Sequence, residues 1–228
     1  MSTIAENIAK VGVRIREAAQ AAARDSGTVK LLAVSKTQPA GSLRDAFAAG
    51  AADFGENYLQ EALDKQAELA DLAITWHFIG PIQSNKTRSI AEHFAWVHSV
   101  DRLKIAERLS AQRPAHLPPL NVCLQVNVSG EDSKSGCAAE AAPALARAIA
   151  ALPNLHLRGL MTIPAPSDDP AEQRAAFARL RTLYERLGAE LPLDTLSMGM
   201  SQDLEAAVAE DATWVRIGTA LFGERHYP

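Results

Sequence analysis

Lys36 lies in the run LLAVSKTQP, directly after a short apolar stretch that reads as a strand. It shares strand parity with Leu32 and Val34, so an apolar face would lie beneath it at a strand end. Desolvation there lowers a lysine pKa, and a neutral amine attacks an aldehyde carbon. Position alone leaves a second reading open, a loop lysine facing solvent. Two later runs carry groups suited to an anion. In LSMGMSQDLEAA, Gly199 permits close backbone approach, Ser201 is expected at the N-cap of the next helix and Asp203 in its first turn. A serine beside free N–H groups suits an anion, although such serines more often simply cap a helix. In TWVRIGTALFG, parity puts Trp214 and Arg216 on one face and Val215 and Ile217 on the other, with Gly218 and Thr219 where the strand ends. Ser201, Gly218 and Thr219 would then hold one phosphate between them.

Three further polar clusters follow strand candidates: FGENYLQEA, WHFIGPIQSNKTR and QVNVSGEDSKSG. Asn57 and Tyr58 are placed to contact a ring or its substituents. His77 and His98 are either titratable site groups or satisfied core histidines. Asn85, Lys86 and Arg88 open a helix, where they either bind an anion at the rim or form a solvated basic face. The chain has no GxSxG elbow, GxxxxGK[ST] loop, HExxH or GxGxxG, and no carboxylate cluster suited to a metal.

These residues need elements to position them. A helix is expected over 3–24, with Thr3 and Glu6 as a capping box and Gly27 as its stop. Eight strand candidates then follow: Lys30–Ser35, Ala52–Gly55, Thr75–Gly80, Trp96–Val100, Asn121–Val128, Leu155–Thr162, Thr195–Gly199 and Thr213–Ile217. Helical patterns fall between them, near 41–49, 57–71, 85–93, 101–111, 138–151, 170–187 and 202–210. The 170–187 pattern is the clearest, with Asp169 as cap, Pro170 at the first position and Gly188 after its end. This alternation predicts a parallel sheet, and eight units favour a closed (β/α)8 TIM-type barrel over an open sheet. The Pro-rich pieces at 114–119 and 164–170 read as loops, so one domain over 1–228 is expected. In such a barrel the chemistry sits at the C-terminal strand ends, where most of these clusters fall.

The bulk properties agree. The chain has 228 residues, 47% of them hydrophobic, and a net charge of −4. Neither a nucleic-acid footprint nor a polybasic membrane patch is present, and no apolar run approaches the ~20 residues a membrane span needs. The charged N-terminus lacks a signal-peptide core, so a cytoplasmic protein is expected. Cys123 and Cys137 have no zinc-like spacing and read as plain thiols.

Taken together, AVSKTQP, FGENYLQEA, WHFIGPIQSNKTR, QVNVSGEDSKSG, GLMTIP, LSMGMSQDLEAA and VRIGTALFGER resemble, in order and nearly end to end, the pyridoxal phosphate homeostasis protein family. Gln38, where many members have lysine, and the tail GERHYP depart from the pattern. The resemblance implies one barrel like the N-terminal domain of alanine racemases, with an extra N-terminal helix. It implies pyridoxal 5'-phosphate bound as a Schiff base on Lys36, with Ser201, Gly218 and Thr219 on the phosphate. Arg216 would face the pyridine nitrogen, and Asn57 and Met198 would line the ring. It further implies cofactor binding, buffering and delivery to apo-enzymes, with effects on amino-acid and keto-acid balance.

An arginine at the ring nitrogen donates and does not protonate it, which weakens the electron sink. A two-base racemase also needs a second acid/base, which alanine racemases take from an added β domain across a dimer interface. The chain stops at Pro228, soon after the last strand, so a monomeric carrier without substantial turnover is expected. A weak amino-acid racemase is the alternative, and a regulatory module that senses the cofactor is a third reading.

Overall fold

The computed structural model describes residues 2–131 and 135–223. Residues 132–134 of the QVNVSGEDSKSG motif and the tail from 224 onward lie outside the described residues.

The first helix, α1 (Ile4–Ala21), carries the expected capping box. Thr3 Oγ1 accepts from the Glu6 N–H, and the Glu6 carboxylate accepts from the Thr3 N–H. Its stop differs from the expectation. Ala23 takes a φ of 53°, and the N–H groups of Ala23 and Arg24 close back on Gln20 O and Ala19 O. These two bonds satisfy the last carbonyls three residues before Gly27, which instead sits in a 3-10 turn, Ser26–Thr28.

Eight parallel strands close into a barrel: β1 (Lys30–Val34), β2 (Asp53–Glu56), β3 (Thr75–Phe78), β4 (Trp96–Val100), β5 (Leu120–Asn127), β7 (Leu155–Met161), β8 (Thr195–Ser197) and β9 (Trp214–Ile217). The β1–β9 and β4–β5 pairings complete the circle, and a two-residue strand, β6 (Cys137–Ala138), pairs with β5 outside it. Around the barrel lie α2 (Ala40–Ala48), α3 (Leu59–Glu68), α4 (Thr87–His93), α5 (Leu103–Gln112), α6 (Ala142–Ala150), α7 (Pro170–Gly188), α8 (Leu204–Ala209) and α9 (Thr219–Phe222). The closed sheet bears out the barrel reading over the open one.

Most strands end earlier than their apolar runs suggest. Ser35, Ile79, Thr162 and Met198 each donate one last ladder bond, to Gly55, Glu56, Ser197 and Trp214 carbonyls, and the chain then turns away. Those turns are the site loops. Two expected caps also shift. Gly188 is the final residue of α7, not the one after it. Ser201 lies in a turn, and Asp203 takes the N-cap position of α8. There Asp203 Oδ1 accepts from the Met200 N–H at 2.5 Å, which tightens the turn and delays the helix.

Strand parity divides the buried residues into two layers. Phe54, Val97, Leu124 and Ile217 belong to the main core, together with helix residues such as Leu43, Ile90, Leu109 and Phe177. The barrel interior is different in kind. Trp96, Cys123 and Met161 form a separate buried cluster there. His77 stacks on Trp96 at 5.5 Å and meets the edge of Trp214 at 5.0 Å. Lys30 and Arg158 lie over the Trp214 and Trp96 rings at 5.2 and 4.8 Å. This barrel is thus packed with aromatic and polar groups where branched aliphatics would ordinarily sit.

Candidate functional site

Lys36 follows β1 in a tight turn. The Gln38 N–H donates to Ser35 O at 3.0 Å, so Lys36 and Thr37 occupy the two central positions. Thr37 stands at φ 65°, a conformation rare for a β-branched residue. Something must hold it there, and α3 supplies it. The buried Lys65 donates to Ser35 O at 2.7 Å, to Glu56 Oε1 at 2.8 Å and to Glu61 Oε1 at 2.5 Å. Glu61 Oε1 also accepts from the Thr37 N–H at 2.6 Å, and the Ser35 hydroxyl donates to Glu56 at 2.5 Å. One ion-pair triad therefore grips the residues on both sides of Lys36. Burial pushes the Glu56 carboxyl up, while the Lys65 charge and the Lys65 and Ser35 hydrogen bonds oppose that. Sequence reading missed this triad. The available signal was the Glu61–Lys65 spacing of four on one helix face.

Lys36 lines a narrow cleft with Val34, Gln38, Gly218, Thr219 and Gly223. The β1–β9 register explains the meeting, since Ala33 pairs with Ile217 and Gly218 follows directly. A Cβ on Gly218 would stand 3.2 Å from Val34 O, so glycine allows this close approach. Gly218 is the N-cap of α9, whose first N–H groups have no acceptor within the helix.

Ser201 is not among the residues lining that cleft. It sits at the neighbouring strand end, where the Arg216 N–H bonds Gly199 O at 2.9 Å. Helix α1 braces both elements from outside. Arg14 donates to Ser201 O at 3.0 Å, and Asn7 to Leu221 O at 2.9 Å.

Arg216 lies deeper in the barrel, paired with Leu32, and is 4% exposed. It donates to Ser197 Oγ at 2.9 Å and to Thr162 O at 2.8 Å. Burial brings its pKa down to about 10, which leaves it a cation at neutral pH. Asn57 leaves β2 two residues past the Val34–Gly55 pair, level with Lys36. Gly80 backs it, because a Cβ there would fall 2.3 Å from Asn57 O. Asn57 Oδ1 and Thr37 Oγ1 are buried without a hydrogen-bond partner among the described residues. These orphaned acceptors beside Lys36 fit a polar ligand seated in the mouth.

Other expected residues lie elsewhere. Met198 is fully buried in the main core, and its neighbour Ser197 is the one that faces into the barrel. Shortening of β8 does not alter that parity. Tyr58 stands at the rim, 54% exposed. Lys86 and Arg88 are exposed, and Arg88 reaches Glu92 at 3.9 Å along α4, as on a solvated basic face. His77 and His98 are fully buried, away from the mouth.

Barrel and strand-end site together define the class. The alanine racemase N-terminal domain family matches residues 7–226. The chain belongs to the pyridoxal phosphate homeostasis protein family. It is 76% identical over 227 residues to the protein of that name from Pseudomonas aeruginosa, covering all of this chain and 98% of the relative. The structure of PipY from Synechococcus elongatus with pyridoxal phosphate bound is similar at a TM-score of 0.84 and 42% identity, over 97% of this chain and all of that one. Alanine racemase from Corynebacterium glutamicum shares the fold, with a TM-score of 0.68 and 22% identity, over 97% of this chain and 61% of the racemase.

Proposed function

We propose that this chain binds pyridoxal 5'-phosphate covalently at Lys36 and holds it for buffering and delivery, without substantial catalytic turnover. The observation that carries this reading is the cleft that Lys36 shares with Gly218 and Thr219, one step above the buried cation of Arg216. Relatives named for pyridoxal phosphate homeostasis, and PipY with the cofactor bound, support it. In this reading the Lys36 amine is the attachment point. Gly218, Thr219 and, from the adjoining turn, Ser201 bind the phosphate. Asn57 borders the ring, and Arg216 donates to the pyridine nitrogen.

When bound, the cofactor supplies an electrophilic carbon to amines and a ring that can withdraw electrons. Arg216 keeps the ring nitrogen an acceptor, which weakens that withdrawal. The pair therefore favours holding and exchange over proton abstraction. Pyridoxal phosphate and the apo-enzymes that receive it are the partners, and the protein acts as a cytoplasmic monomer. No helix among the described residues is long and apolar enough to cross a membrane.

Borohydride reduction of the loaded protein followed by peptide mass spectrometry tests the reading. The expected pyridoxyl adduct is on Lys36; an adduct elsewhere, or none, overturns it. The fold shared with alanine racemase favours a second reading, weak amino-acid racemisation. Its signature is steady turnover of an amino acid that disappears in Lys36→Ala.

A further inference from the structure

We propose that Ser197, His98, His77 and Asp53 form a one-directional hydrogen-bond relay through the barrel, and that these four are positioning residues for Arg216. The links are short. Arg216 Nη1 lies 2.9 Å from Ser197 Oγ, and Ser197 Oγ 2.7 Å from His98 Nδ1. His98 Nε2 lies 2.9 Å from His77 Nδ1, and His77 Nε2 3.0 Å from Asp53 Oδ1. Ser197, His98 and His77 are buried, whereas the Asp53 side chain is 30% exposed at the start of β2. The relay thus runs from the site to solvent at the opposite end of the barrel.

Chemistry fixes the direction of every bond. A guanidinium can only donate, so Ser197 Oγ accepts from Arg216. The serine proton then goes to His98 Nδ1, which must be an unprotonated acceptor. His98 carries its proton on Nε2 and donates to His77 Nδ1. His77 in turn carries its proton on Nε2 and donates to Asp53, an acceptor when ionised. Both rings are neutral in this order, and no other order satisfies every member while Arg216 is charged.

The surroundings favour it. Burial, then repulsion from any proton taken up by His77 and from the Arg216 cation, holds His98 well below the usual imidazole range. Burial also lowers His77, with Lys30 adding to that and Asp53 opposing. Arg158, over the Trp96 ring, is a further cation beside this aromatic box and is paired with the Asp194 carboxylate. Each donor points toward Asp53, so the lone pairs of Ser197 are polarised toward Arg216. With Thr162 O on Nη2, the guanidinium plane is fixed and its remaining N–H groups are left for a ligand. The consequence for the cofactor rests on the reading of Arg216 given above; the relay itself does not.

The two are separated by measuring the cofactor-free protein. Multiple-bond 1H–15N spectra of histidine-labelled wild type, assigned with His77→Gln and His98→Asn, should show both rings neutral with the proton on Nε2 at neutral pH. A protonated ring, or an Nδ1–H form at either position, overturns the relay. Asp53→Asn replaces the anionic acceptor at the end of the relay by a neutral amide oxygen, which weakens the polarisation passed along the chain while both rings keep their Nε2 protons. The nitrogens of His98 should then shift as well as those of His77, and cofactor release from loaded protein should quicken by about tenfold. A change confined to His77 also overturns the relay. If the tautomers hold but no adduct forms on Lys36, the relay stands and the cofactor reading falls.

Discussion

Lys65 illustrates how one side chain can act on a site it does not enter. Its ammonium and the two glutamates it pairs with hold Ser35 and Thr37, and through them the turn that presents Lys36. Lys65→Met would leave Glu56, which is 0% exposed, without its counter-charge. Breaking a buried pair from one side costs about 3–5 kcal/mol. Urea denaturation should show a loss of that order. Much of it should return in the double variant Glu56→Gln/Lys65→Met, where the one carboxylate left of the triad is Glu61, whose side chain is 29% exposed. A single-variant loss under ~1 kcal/mol would mean the triad is solvated more than its geometry implies. Lys36 was legible because an apolar strand run ends beside it. Lys65 was not, since a lysine four positions after a glutamate on a helix ordinarily marks a solvated pair. Burial depends on which element packs opposite, and that is a tertiary fact.

At the scale of elements, the strand ends decide what the site can be. Gly80 lets the turn after β3 pack against the backbone of Asn57, and the Ser99 hydroxyl pins it by donating to Gly80 O at 2.6 Å. Gly80→Ala should push the β2 end outward and cost about 1–3 kcal/mol. The thermal transition should fall, and cofactor retention should weaken further than in a core variant of equal stability. All eight barrel strands were legible as apolar runs, because a strand buried on both faces needs apolar residues at most positions. Their ends were less so. Ile79, Thr162 and Met198 keep strand-like composition after their strands end, yet each makes one more ladder bond and the chain departs. Helix α9 was missed altogether, since TALF reads equally well as more strand. Ser201 was misplaced by two positions because Asp203 competes for the same cap.

For the whole molecule, the barrel interior sets the response to acid. His77 and His98 both have folded-state pKa values below the ordinary imidazole value of about 6.5. The unfolded chain therefore takes up protons there that the folded chain refuses. Their contribution to stability is complete above pH ~6.5 and declines as pH falls below it, by up to two protons' slope. Glu56 and Asp203, whose values are raised by burial, act in the opposite sense nearer the carboxylate range. Thermal midpoints should thus fall between pH 7.5 and 5.5, and less so in His98→Asn. A flat profile would mean the pair titrates equally in both states. Sequence pattern foresaw the closed barrel but not this filling, because parity says which residues point inward and not how they pair.

Those inward residues also give the protein an optical property. Of its three tryptophans, Trp96 and Trp214 are almost wholly buried inside the barrel, on the same strand face as Arg216 in the case of Trp214. Indole emission overlaps the near-ultraviolet and violet absorption of protein-bound pyridoxal phosphate. A chromophore at the mouth would drain their excited state across the barrel without touching either ring. Filling of the mouth would be reported as dimming of an intrinsic light source, with no dye attached and no residue changed.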